Sequence, residues 1–143
     1  MTESSEAKIE RFVGEVLAQG LDKADASQIE KMLNSELKST RFNLALGTTQ
    51  LGTGTRLRKF LDECGDQIRQ NLCKDGKLDP DWEKILRDDD LSQLLKSLAT
   101  TLLGLINPAF AVPSVAVLAA LWMIRKGLNN WCSQTLDQLL NES

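Results

Sequence analysis

Apolar residues first recur at helical spacing along the chain and then become nearly continuous. Over 3–19, Ile9, Phe12, Val13, Val16 and Leu17 fall three and four positions apart. That spacing predicts an amphipathic helix with Gly20 as its stop. A second helix is expected from about residue 25, where Asp25 with Gln28 and Ser27 with Glu30 are alternative capping boxes. Ile29, Met32, Leu33 and Leu37 mark its buried stripe, with Lys31, Asn34, Ser35 and Lys38 toward water. Phe42, Leu44 and Leu46 alternate as a strand would, but one short strand has no partner here. Helix to about residue 46 and then a Gly/Thr loop over 47–55 is the reading adopted. A third helix over 55–73 carries Leu57, Phe60, Leu61, Cys64, Ile68 and Leu72 on one face. Gly65 lies mid-helix at a cost of roughly 1 kcal/mol relative to alanine, which implies close packing by a neighbour. Lys74-Asp75-Gly76 reads as a turn. Asp79-Pro80 opens a short helix over 80–88 that buries Trp82, Ile85 and Leu86.

The most informative stretch is 97–124, which carries no charged residue. Asn107-Pro108 and Pro113 interrupt it, and proline both lacks a backbone donor and clashes with the preceding helical turn. The run therefore divides into two arms, 91–106 and one beginning near Ser114. The second arm keeps its helical period through Leu128, Trp131, Leu136 and Leu139, so a single helix to about residue 140 is expected. Spanning a bilayer takes ~20 apolar residues. The uncharged part of each arm has about half of that. A helix that is apolar all round must be covered by something. The three amphipathic helices before it supply the cover. The fold class is all-α: one domain over 1–143, a compact bundle of about five to six helices with a central apolar hairpin broken at Asn107–Pro113.

Composition narrows the chemistry. The 143 residues contain no histidine and no tyrosine, with a formal net charge of −3. A Ser–His–Asp triad, a Cys–His dyad and His-ligated zinc are therefore excluded from this chain alone. No basic stripe suits nucleic acid, because Arg56, Arg58 and Lys59 are followed at helical spacing by Asp62 and Glu63. The Gly/Thr loop is not a Walker loop, since Thr53 stands where lysine is required. Asp79, Asp81 and Glu83 have alternating ligand spacing, but Lys84 occupies the position where a calcium loop needs glycine. No cofactor or metal set is expected. Cys64, Cys73 and Cys132 are irregularly spaced, and 1–10 is polar with no signal-peptide pattern. They read as three reduced cysteines of a cytoplasmic protein.

The hydropathy of 91–128 resembles the pore-forming domains of colicins and the Bcl-2-like helical bundles. In both, an apolar helical hairpin lies inside a jacket of amphipathic helices and can enter membranes. The resemblance is one of hydropathy, with no signature residues to carry over. Two functions follow. The first is a non-enzymatic interaction module, an adaptor, regulator or oligomer-forming bundle that binds another protein or itself. The second is a latent membrane-associating or pore-forming effector whose hairpin 97–124 leaves the bundle. For membrane contact the candidates are Pro108, Phe110 and Pro113 at the hairpin tip, Trp122 as an interfacial anchor, and Arg125 and Lys126 against headgroups; for partner contact they are the Gly/Thr loop 47–55 and a C-terminal stripe of Trp131, Leu136, Leu139 and Leu140.

Overall fold

A computed structural model of the chain describes residues 5–38, 55–88, 90–105, 113–134 and 138. Its elements are α1 (Ser5–Ala18), a 3₁₀ turn (Leu21–Lys23), α2 (Ala26–Lys38), α3 (Thr55–Leu72), β1 (Cys73–Lys74), β2 (Lys77–Leu78), α4 (Pro80–Asp88), α5 (Leu91–Leu105), α6 (Pro113–Lys126) and α7 (Leu128–Ser133). The fold is all-α, with one two-stranded antiparallel ribbon among the described residues. The expected helix continuation to about residue 46, the Gly/Thr loop before Thr55 and the hairpin break at 106–112 all lie outside the described residues.

Helix starts follow local chemistry. The Gln28 amide donates to Asp25 Oδ1 at 2.8 Å, so Asp25 rather than Ser27 caps α2. Asp79 Oδ1 accepts from the Asp81 amide at 2.9 Å, and Pro80 occupies the first helical position of α4. Asp90 Oδ1 accepts from the Gln93 amide at 2.8 Å at the start of α5. Gly20 sits left-handed after α1 and donates to Leu17 O at 3.1 Å, as a C-terminal stop does. In the ribbon, Asp75 (φ 54) and Gly76 (φ 76) form the two-residue turn that matches strand twist.

α6 is the centre. Every residue over 115–123 is buried, so this helix has no wet face. α5 lies along it, and α1 and α2 close over it, with α1 also covering α5. α3 packs on α2, α5 and α7. The apolar stripes of these outer helices meet the core as expected: Ile9, Val13, Val16, Ile29, Leu33, Phe60, Leu61, Ile68 and Leu72 are all buried. Gly65 is buried as well, in keeping with a close neighbour at that turn. Among the described residues no helix is long and apolar enough to cross a membrane. α6 spans about 21 Å at ~1.5 Å per residue, short of the ~30 Å hydrocarbon layer.

Four expectations change. The helix expected over 114–140 breaks at Gly127, whose φ of 97° places it where side chains are strained. A Cβ there would also meet Asn130 Nδ2 at 3.1 Å. The chain turns at that glycine and restarts as α7, adding one helix to the expected set. Asn34, expected to face water, is buried at 5% exposure and donates to Glu30 O at 3.0 Å. Trp82, Ile85 and Leu86 are half-buried rather than buried, because α4 lies at the edge with weak contact to every other element. Two of the cysteines are not reduced thiols. Cys73 and Cys132 form an intramolecular disulfide with Cα atoms 5.6 Å apart and a sequence separation of 59. Only Cys64 keeps the expected role of a buried thiol acting as a small hydrophobe. In the chain-entropy account, closing a loop of that length stabilises by about 4 kcal/mol.

Leu121 on α6 is fully buried. Leu121→Ala is expected to lower the unfolding free energy by about 2–5 kcal/mol. Arg125, one turn on and exposed, should change it by less than about 0.5 kcal/mol as alanine. Urea unfolding of both variants checks the contrast.

Candidate functional site

The sequence candidates do not form one surface. Pro108, Phe110, Leu136, Leu139 and Leu140 lie outside the described residues. Pro113 is the first residue of α6 and half-buried. Arg125 is exposed at the far end of the same helix, with Lys126 half-buried beside it. Trp122 and Trp131 are both 0% exposed. They meet edge to face, with centroids 6.0 Å apart and planes at 85°. In this arrangement neither ring reaches lipid or a partner.

What gathers around the tryptophans is a brace that sequence reasoning missed. α7 lays Trp131 against the end of α6. From α3, the Arg69 guanidinium sits 5.5 Å from the Trp131 ring centroid. Arg69 Nη2 also donates to Gln134 O, just beyond α7. One turn below Arg69, the ribbon turns Cys73 toward Cys132. Cation, ring and disulfide thus tie α7 to α3. The seat is incompletely satisfied. Arg69 Nε, Trp122 Nε1, Trp131 Nε1 and Gln134 Oε1 are buried without a hydrogen-bond partner among the described residues. Each such orphan costs about 1–3 kcal/mol. Nothing in the spacing of Arg69, Cys73 and Trp131 signals their meeting, because three separate elements bring them together.

Glu30 on α2 lies on the other side of Trp122. Burial raises its carboxyl above the ordinary glutamate value. The Lys126 ammonium and the Trp122 indole N–H act in the opposite direction and only partly offset it. The indole faces the carboxylate but falls short of hydrogen-bond geometry.

A second feature is a groove of about 180 Å³ between α1, α2 and the start of α6. Its floor is apolar: Phe12, Val16, Leu21, Met32, Val117 and Leu118. Its rim carries Glu15, Gln19, Glu36 and Ser114, with Ser114 Oγ donating to Glu36 Oε2 at 2.9 Å. Among the described residues no lysine or arginine lines it. A larger, shallower depression beside the ribbon mixes Lys74 and Lys77 with Asp75 and Glu83, so its charges do not converge on one ligand sign. Of the calcium-spaced acids, Asp79 caps α4, while Asp81 and Glu83 lie in its first turn. Among the described residues no group of three or more acidic or cysteine side chains is placed to hold a metal.

The raised Glu30 carboxyl has a consequence for stability. The folded chain holds this proton to higher pH than the unfolded chain does. Glu30 therefore adds stability below its unfolded value and loses that contribution as pH rises through the raised folded value. Glu30→Gln keeps a neutral side chain throughout. Its stability relative to the native sequence is expected to rise between about pH 4 and about pH 8, read by urea unfolding at each pH; a gap that stays flat or narrows contradicts the burial. The chain matches no protein-family model, no curated protein and no solved structure.

Proposed function

We propose that this chain is a non-enzymatic protein-interaction module. Its groove between α1, α2 and α6 receives an apolar side chain flanked by basic residues from a partner protein. The groove carries the reading: an apolar floor, two glutamates at the rim and, among the described residues, no cation along it. Its volume is below the ~300 Å³ at which small-molecule sites begin, and suits one large side chain. Helix-in-groove recognition uses anchors of this kind, and the acidic rim favours a basic edge on the partner. The non-enzymatic part rests on the absence of histidine and on the use of Asp25, Asp79 and Asp90 as helix caps.

A second reading is the latent membrane effector. It is favoured by one observation: α6 is apolar on every side and ends at Arg125 and Lys126, the order an interfacial helix end shows. On that reading the hairpin 97–124 leaves the bundle and places Trp122 at the lipid boundary.

One titration separates them. The probe is a twelve-residue amphipathic peptide with leucine anchors flanked by lysines, added to isotope-labelled protein. Chemical-shift changes are expected to cluster at Phe12, Met32 and Glu36. A charge-reversed peptide with glutamates should bind at least about tenfold more weakly, and Met32→Lys should abolish the clustered shifts. Scattered shifts, or equal binding of the two peptides, overturn the groove. Concentration-dependent dimers that Met32→Lys dissolves would instead seat a second copy there. Co-sedimentation with anionic vesicles in place of peptide would move the assignment to the second reading.

A further inference from the structure

We propose that the Cys73–Cys132 disulfide is a thiol-sensitive clasp: its reduction lets α7 turn away on Gly127 and uncovers Trp131 and the end of α6. The bond joins the ribbon at the end of α3 to α7, and Gly127 alone separates α7 from α6. Gly127 holds a φ of 97°, so the joint is a single residue with the widest backbone freedom. α7 is a six-residue helix, far too short to persist without tertiary support.

The seat explains why the bond matters. Leu128 and Trp131 are buried there, which favours closure. Yet Arg69 Nε, Trp131 Nε1 and Gln134 Oε1, buried there with no hydrogen-bond partner among the described residues, oppose it, because each would regain water on opening. A covalent tie shifts that balance toward the closed position. Access is selective as well. Cys73 and Cys132 are half-buried, whereas Cys64 is 2% exposed. A small thiol can therefore reach the bond without unfolding the bundle.

The reductant is a thiol of the glutathione or dithiol class. Its thiolate attacks one sulfur, forms a mixed disulfide and releases the other cysteine. A second thiol then resolves the intermediate. Two electrons and two protons pass to Cys73 and Cys132, and the reductant leaves as its own disulfide. The clasp is independent of the groove, which lies on other elements.

The test uses the full chain equilibrated with oxidised glutathione and then treated with dithiothreitol, followed by hydrogen–deuterium exchange. Amides over 128–133 should exchange at least about tenfold faster after reduction, while those over 115–123 keep their protection. Cys132→Ser should show the same fast exchange over 128–133 without reductant. Three results would overturn the clasp. They are unchanged protection of α7 on reduction, loss of protection throughout the bundle, and three alkylatable thiols in the oxidised, denatured chain.

Discussion

A helix with apolar residues on its whole circumference must be covered on its whole circumference, and α6 imposes that demand on the rest of the chain. Its buried residues over 115–123 leave no side for water. One neighbour cannot satisfy it, so α5, α1 and α2 are all drawn onto it, and α7 closes its C-terminal end. The outer helices can do this because each carries one apolar stripe and one polar face. The order of packing follows from these faces: α1 bridges α5 and α6, α2 seals α6 and α3 backs α2.

Much of this was legible where the cause is local. Asp25 and Asp79-Pro80 announce helix starts because a carboxylate satisfies an orphan amide within three residues. The stripes Ile9–Val13–Val16 and Ile29–Leu33 announce buried faces because period and burial coincide. Gly127 was not legible as a break, since Leu128 and Trp131 continue the helical period across it and periodicity does not report a change of axis. Asn34 misled for a related reason: a polar side chain that satisfies itself on Glu30 O is as easily buried as exposed. The disulfide, the Arg69–Trp131 brace and the groove were invisible because each needs partners from distant segments.

The closed core also changes what the aromatic residues mean. Trp122 beside Arg125 and Lys126 reads from sequence as an interfacial anchor, yet the ring is buried against Trp131 and Glu30. Neither indole N–H has a hydrogen-bond partner among the described residues, so the rings are held by packing, by the Arg69 cation and by the nearby disulfide. The groove lies at the opposite end of α6, where Ser114 and Val117 sit, away from the tryptophan end. The two ends of one helix therefore carry different properties: a side-chain-sized recess at its start and a covalently tied cap at its finish.

If full enclosure of α6 is what organises the bundle, its amides should exchange with solvent only when the entire chain unfolds. Residue-resolved exchange by nuclear magnetic resonance, compared with the unfolding free energy from urea, measures this directly. The account predicts that the opening free energies over 115–123 equal the global value. Opening energies there well below the global value, comparable with those of the edge helix α4, would contradict it.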